Sequence, residues 1–403
     1  MKALFICLTD YQLLNAINIK VHLLKDTEAD IIIFNNKEGL VELTERLEST
    51  KIFSNVYLYT EKFEDVHKYF RNLSENTEGI AFFEAIRNTI KNIYIKCMAK
   101  VEDQDKNINR GIGKNKKIDF SQYHTVFGIE TKSFVSQCIE LVFNARNGEC
   151  IINSIDEGLA SYLRDGVRGV HHIDNIYLYE PEMAVYRNKF SNIIRIPKIN
   201  KDNKMFIKMI NFIFNFQEEN KFDFRRKIIF FDQNWDAMPK YLRNMSGFKK
   251  VLLGKLYKKH LKESRIYDKK MELFESLVKK SLPQKVFVKL HPRSDKNFIN
   301  DYIEKGGALL PNIKTPWEVF GCNCDIKNNV WVTIHSSALS AYDFTIQNDK
   351  NNKFIFLYKF VLNNEENFEE IDSFFEKFRR ENSDRVFIPK NEMELLSYLE
   401  KGF

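Results

Sequence analysis

Near its amino terminus the chain reads Ala3-Leu4-Phe5-Ile6-Cys7-Leu8, then Thr9-Asp10, then a mixed stretch from Tyr11 to Leu24, then Asp30-Ile31-Ile32-Ile33-Phe34. Six consecutive apolar residues closed by a polar pair predict a short strand buried on both faces. The stretch from about Tyr11 to Leu24 carries apolar residues at helical spacing, and Asp30–Phe34 repeats the buried-strand pattern. A helix over about Gly39 to Leu47 and a strand over Asn55–Tyr59 extend the series. Strands alternating with helices specify βαβ units, and βαβ units build a parallel sheet.

Further along, an amphipathic stretch from about Ala81 to Met98 precedes a polar tract, Glu102 to Lys117. That tract holds Gly111 and Gly113 and few apolar residues, so it reads as a loop. Thr125–Ile129 and Glu149–Asn153 are further expected strands with a helix between them. The pattern restarts after an apolar helix near Met205 to Phe216 and the charged segment Glu218 to Arg226. Strands are then expected at Lys227–Asp232, Val251–Leu253, Lys285–Leu290, Val330–Ile334 and Phe354–Leu357. Helices are expected near Lys269–Lys280, Pro316–Phe320, Ser336–Phe344, Phe368–Arg380 and Glu392–Leu399. The reading is an α/β chain of two doubly wound, Rossmann-like domains, about 1–200 and 225–385, joined by a linker. A last helix within 386–403 is expected to pack back on the first domain. Two such domains facing each other would put the carboxyl ends of both sheets at one cleft, where ligands bind. That architecture serves many enzymes and binding proteins and does not choose among them.

Bulk properties agree with a folded α/β protein. The 403 residues suffice for two domains, and 44% hydrophobic content permits real cores. Phe (35) and Tyr (17) are abundant while Gly (15) and Pro (8) are scarce. The formal net charge of +7 is modest, and its basic clusters (Lys114 to Lys117, Arg225 to Lys227, Lys279-Lys280, Arg379-Arg380) are dispersed. Nucleic-acid binding, which needs a concentrated basic stripe, is therefore not expected. The six cysteines, at 7, 97, 138, 150, 322 and 324, include no CxxC pair, so no zinc site is expected. The apolar run after Lys2 is too short for a signal peptide, and no stretch approaches the ~20 apolar residues of a membrane span. A reduced, cytoplasmic protein is expected, with peripheral contact at the inner face of the cytoplasmic membrane left open.

Three small clusters, each just after an expected strand, carry chemistry. They are Asp156-Glu157-Gly158, Lys289-Leu290-His291-Pro292-Arg293 and His335-Ser336-Ser337. Ser336 and Ser337 would open a helix, whose exposed N–H groups and dipole favour an anion; the plainer reading is an N-cap by Ser336. Pro292 would hold His291 at the strand tip, where a histidine can protonate a departing phosphate; the plainer reading is a partly buried histidine. Asp156-Glu157-Gly158 could equally be a simple acidic turn.

Together these motifs resemble those of bacterial sialyltransferases of the GT-B type: an acidic-acidic-Gly motif, then an HP motif, then a Ser-Ser pair opening a helix. The run Phe5-Ile6-Cys7-Leu8-Thr9-Asp10-Tyr11-Gln12-Leu13-Leu14-Asn15-Ala16 is similar to glycosyltransferase family 52, which includes lipooligosaccharide and capsule sialyltransferases. The resemblance implies that His291 is the phosphate-contacting general acid and Lys289 a donor-site lysine, with Pro292 beside them. It implies that Glu318, in Thr315-Pro316-Trp317-Glu318, holds the ribose hydroxyls, and that Ser336 and Ser337 hold the CMP phosphate. The acceptor base would be Asp156, then Glu157; a family-52 variation, with the base on a loop shortly before the HP strand, points to Asp268. The implied reaction is inverting transfer of sialic acid from CMP-sialic acid to a terminal sugar hydroxyl, galactose among bacterial surface glycans.

A leaving group with one phosphate can be neutralised by a histidine and a helix N-terminus, so no cofactor and no essential metal are expected. The one Asp-x-Asp pair, Asp103-Gln104-Asp105, lies in the polar tract and reads as solvated loop. A carboxylate base opposite the acid gives inversion. The expected partners are CMP-sialic acid and a glycan acceptor, lipid-linked or free, with a homodimer left open. The rival readings are a related GT-B transferase using another sugar nucleotide and a non-catalytic sugar-nucleotide or glycan-binding protein.

Overall fold

The computed structural model describes residues 1–34, 39–60, 117–128, 133–163, 173–186, 192–217, 223–233, 254–291, 299–310, 315–347, 351–363 and 367–400. The chain divides into two compact units, Met1–Phe216 and Gln217–Phe403. The apolar helix Lys204–Ile213 belongs to the first unit, where its buried Phe206 ring lies 4.9 Å from the His22 ring.

The first unit holds one seven-stranded sheet in the order β3-β2-β1-β4-β5-β6-β7. Its strands are β1 (Lys2–Cys7), β2 (Glu28–Phe34), β3 (Val56–Tyr59), β4 (Thr125–Phe127), β5 (Ile151–Ile155), β6 (Asn175–Leu178) and β7 (Ile193–Arg195). Every described pairing is parallel. The expected apolar run is the central strand β1, with Ala3 to Cys7 all buried, because helices cover both faces of a parallel sheet. Thr9 caps the helix Asp10–His22: it accepts the Gln12 N–H at 3.2 Å, and Gln12 Oε1 accepts the Leu8 N–H at 2.7 Å. At the end of β4, Gly128 passes so close to Val135 that an added Cβ would meet its Cγ1 at 2.9 Å.

The second unit repeats the plan with six parallel strands in the order β10-β9-β8-β11-β12-β13. These are β8 (Ile228–Phe231), β9 (Val286–Lys289), β10 (Ala308–Leu309), β11 (Val330–Thr333), β12 (Lys353–Phe356) and β13 (Val386–Phe387). In each sheet the order reverses beside the unit's first strand, between β1 and β4 and between β8 and β11. This is the doubly wound α/β architecture expected from the alternating pattern.

One expected helix needs correction, and other expected segments lie outside the described residues. The helix expected at Lys269–Lys280 is the second half of one long helix, Gly254–Ser281. Its buried positions Ser264, Tyr267, Lys270, Met271, Phe274, Leu277 and Val278 form an uninterrupted helical stripe, and no proline breaks it. The strand expected at Val251–Leu253, the helix at Ala81–Met98 and nearly all of the polar tract from Glu102 lie outside the described residues. The last helix, Glu392–Glu400, meets the long helix through a 2.9 Å Lys269–Glu392 ion pair. The Tyr398 ring of that last helix stacks on Phe387 of β13.

Candidate functional site

Ligands of doubly wound sheets bind at the carboxyl ends of the strands, beside the point where strand order reverses. In the second unit that place is the end of β8, with β9 on one side and β11 on the other. Phe231 pairs with Lys289 of β9 and with Thr333 of β11, so these three residues form one row across the sheet. The Asp232 N–H continues the ladder by donating to the Lys289 carbonyl at 2.9 Å. Two residues beyond the row the three strands reach His291, Gln233 and His335. The motifs written 44 or more residues apart in the chain thus end at one edge.

Lys289 is half-buried, with its ammonium 5.9 Å from the centre of the Phe231 ring and 5.8 Å from that of Trp317. Burial pushes its pKa down, and the negative charges of Glu318 and Asp232 act in the opposite sense. Glu318 lies in the first turn of the helix Trp317–Asn323 and is 5% exposed. His291 lies two residues beyond the end of β9 and is half-buried. Pro292 lies outside the described residues.

Beyond β11, Ser336 caps the helix Ser337–Thr345, accepting the Ala338 N–H at 3.3 Å. The Ser336 N–H itself donates to Thr333 Oγ1 at 3.0 Å, which donates to the Phe231 carbonyl at 3.0 Å. The turn is therefore tied to β8. Both the plain cap and the anion-site reading of Ser336 fit this geometry, since a cap leaves other first-turn N–H groups facing outward.

The site also contains residues the motif reading passed over. Lys270, from the long helix, makes a 2.7 Å ion pair with Asp232, each side chain 2% exposed. Lys270 also donates to the Gln233 carbonyl at 3.1 Å, and the Tyr302 hydroxyl donates to the same Asp232 oxygen. Gln233 Oε1 accepts both the backbone N–H of His335 at 3.0 Å and bonds its ring Nδ1 at 2.8 Å. Burial pushes the His335 pKa down to about 4, so its ring is neutral at neutral pH. Asp232 ends the expected strand Lys227–Asp232 and Gln233 directly follows it, so the strand-end rule that found the other clusters was the signal that could have found them too.

In the first unit the acidic-Gly motif follows β5 directly. Gly158 has φ of +100°, a conformation only glycine adopts without strain, and its N–H donates to Asp156 Oδ1 at 2.7 Å. The other Asp156 oxygen accepts the Tyr162 hydroxyl at 2.5 Å, and the Asp156 carbonyl accepts Asn15 Nδ2 at 2.8 Å. Asp156 is 0% exposed. Burial pushes its carboxyl up to about 6, against hydrogen bonds from Tyr162, the Gly158 and Tyr179 backbones and Tyr11 that favour the charged form. Glu157, the next residue, is half-buried, with its N–H on Ser161 Oγ at 2.9 Å. Asp156 therefore anchors the turn, and Glu157 is the carboxylate of the motif with a solvent-facing surface. Asp268 is not on a loop: it lies exposed within the helix Gly254–Ser281, because the apolar stripe of that helix runs on through the position.

Among the described residues no group of three His, Cys, Asp or Glu side chains is placed to hold a metal ion, and no helix is long and apolar enough to cross a membrane.

No family model matches this sequence, and no curated protein is significantly similar to it. Solved structures similar to the chain include an α/β-galactoside α-2,3-sialyltransferase from Photobacterium phosphoreum, 11% identical, covering 96% of this chain and 98% of that one at a TM-score of 0.48. The calicheamicin glycosyltransferase CalG4 is 9% identical, over 99% of this chain and 89% of that one, with a TM-score of 0.43. Arabidopsis thaliana UGT89C1 complexed with UDP is 9% identical, over 99% and 89%, with a TM-score of 0.44. At such scores these likenesses assign no activity, and the functional reading stands on the chain's own residues.

Proposed function

We propose that this chain is a GT-B-type glycosyltransferase that moves sialic acid from CMP-sialic acid to a glycan hydroxyl with inversion. The observation that supports the reading most is the shared edge of the second sheet. A lysine with a weakened hold on its proton, a histidine at a strand tip and a serine-capped helix start stand together at the β8/β11 switch point.

In this reading the anomeric carbon–oxygen bond breaks toward the phosphate as the acceptor oxygen attacks from the other side. His291 gives its proton to the departing phosphate, which the N–H groups opening the helix Ser337–Thr345 and the Lys289 ammonium stabilise. Glu318 holds the ribose hydroxyls. Glu157 rather than Asp156 takes the acceptor proton, since a side chain with no exposed surface cannot meet an acceptor hydroxyl. Asp268 stays a rival base only if the acceptor reaches the exposed face of its helix. No metal is required, and the acceptor belongs to a surface glycan, free or lipid-linked.

A donor screen tests the reading directly. The pure protein is incubated with CMP-, UDP- and GDP-sugars, with and without a glycan acceptor, and nucleotide release is followed in the presence and absence of EDTA. CMP release that depends on acceptor and survives EDTA is expected. Release of UDP or GDP alone would replace the donor assignment, and tight nucleotide binding without release from any donor would leave a binding protein.

A further inference from the structure

The helix Lys204–Ile213 is apolar on two sides. Its inner face, Phe206, Ile207, Ile210 and Ile213, is buried. Asn203 caps it by accepting the Phe206 N–H at 3.2 Å, and Arg46 of the neighbouring helix Leu40–Ser49 donates to the Ile213 carbonyl at 2.9 Å. The helix is therefore seated, and its rotation is fixed. Met205, Met209 and Phe212 stand at i, i+4 and i+7, so they form one stripe along the opposite side. Met205 is 87% exposed and Phe212 51%, with Met209 half-buried between them. Single apolar residues scattered on a surface are ordinary; a second stripe on a helix whose core face is already satisfied is not.

Lys204 and Lys208, one turn apart and both exposed, run beside this stripe. Among the described residues neither ammonium meets a carboxylate; Lys204 Nζ donates to the Lys201 carbonyl at 3.3 Å. The helix itself contains no acidic residue, and from Lys201 to Gln217 the sequence has Asp202 alone against three lysines. The neighbouring helix carries exposed carboxylates, Glu42 and Glu45, so the positive charge belongs to this one helix and not to a whole side of the unit. The outer face is an apolar strip edged by positive charge.

A second copy of the chain fits that face poorly. In a two-fold pair the same patch meets itself, which sets Lys204 and Lys208 against their own counterparts. A helix of this length is also only about 15 Å long, short of the roughly 800 Å² that each partner of a standard interface buries. An anionic bilayer suits both parts of the face, because its headgroup boundary takes Met and Phe side chains and its phosphates attract lysines.

We propose that the outer face of the helix Lys204–Ile213 docks on the surface of an anionic lipid bilayer, with Met205 and Phe212 entering the headgroup boundary and Lys204 and Lys208 pairing with lipid phosphates. The contact is shallow, reversible and weakened by salt. It uses none of the residues of the donor reading above, so either can fail without the other.

Flotation of the full chain with vesicles tests it. Vesicles of phosphatidylcholine alone are compared with vesicles of equal parts phosphatidylcholine and phosphatidylglycerol, at low and at high salt. Binding to the phosphatidylglycerol vesicles that salt weakens is expected. Met205→Ser with Phe212→Ser is expected to lower the partition coefficient about tenfold or more. Lys204→Gln with Lys208→Gln is expected to lower it to a similar degree, at about fivefold for each lysine. Met393→Ser, at an exposed methionine of the last helix, should bind like the wild type. Absence of wild-type binding, equal binding to both kinds of vesicle, or binding that both double variants retain overturns the proposal. Light scattering on a sizing column covers the other occupant: a wild-type dimer that Met205→Ser with Phe212→Ser dissociates gives the face to a second copy and also overturns it. If that double variant fails to fold by circular dichroism, the lysine variant and Met205→Ser alone decide.

Discussion

The carboxylate of Asp156 accepts the backbone N–H of Gly158, two residues further on, at 2.7 Å, and Gly158 can present that N–H only because its φ is +100°. With Tyr162 on its second oxygen and Asn15 on its carbonyl, Asp156 joins β5, the first helix and the turn into one buried unit. The acidic-Gly motif thus has a structural member, Asp156, and a more accessible one, Glu157.

This division makes the two carboxylates separable by mutation. Glu157→Gln is expected to abolish most glycosyl transfer, about 10²–10⁴-fold in kcat, with the thermal midpoint little changed. Asp156→Ala is expected to lower the thermal midpoint clearly, because the buried Gly158 N–H and Tyr162 hydroxyl lose their carboxylate acceptor. Steady-state kinetics and thermal melts on both variants check it. Full transfer by Glu157→Gln together with its loss in Asp268→Asn would give the base to the long helix.

The pH dependence of stability follows from the same residue. Asp156 releases its proton near pH 3.8 when exposed and only near pH 6 when folded. The folded state is therefore the better proton binder in that window. Its contribution, roughly 3 kcal/mol for a shift of this size, is present below pH 3.8 and lost as pH rises through about 6. Asp156→Asn should remove this component. Urea unfolding of both proteins between pH 4 and 7 reads the difference, and parallel curves would refute it.

His335 carries the opposite sign. Its folded pKa of about 4 lies below that of an exposed histidine, so its contribution is full above pH 6.5 and lost as pH falls toward 4. His335→Asn should flatten the acid side of the stability profile in the same unfolding series; an unchanged slope between pH 4 and 6.5 would count against the half-buried, neutral ring.

Lys270→Met tests the clamp beneath Gln233. It leaves Asp232 buried without its cation, which typically costs about 3–5 kcal/mol. The double variant Lys270→Met with Asp232→Leu should recover much of that loss. Chemical denaturation of the single and double variants checks both expectations.

For His291→Ala, a fall in kcat of about 10²–10⁴-fold with nucleotide affinity within a few fold of wild type is expected. Stopped-flow turnover and calorimetric CMP titration provide the two numbers. A near-wild-type kcat in a folded variant would remove His291 from the acid role.

The linear order of residues was enough for the architecture. Continuous apolar runs such as Leu4 to Ile6 and Ile31 to Ile33 can be satisfied only inside a parallel sheet covered on both faces, and the intervening helical spacing supplies the covers. It also placed Asp156, His291 and Ser336 each just after a strand, at the open edge of such a sheet. It did not tell which carboxylate of the pair Asp156 and Glu157 is buried. That depends on Tyr162 and Asn15, which reach the turn from elsewhere in the chain. Nor did it show that Asp268 stands in mid-helix, because the apolar stripe that continues the helix is read only once its partner surface exists. The alliance of Lys270, Asp232, Gln233 and His335 spans more than 100 residues, and Lys270, Asp232 and Gln233 belong to no motif. Local sequence carries periodicity, which specifies elements; the pairing of buried polar groups is a property of the packed interior, and only the tertiary structure decides it.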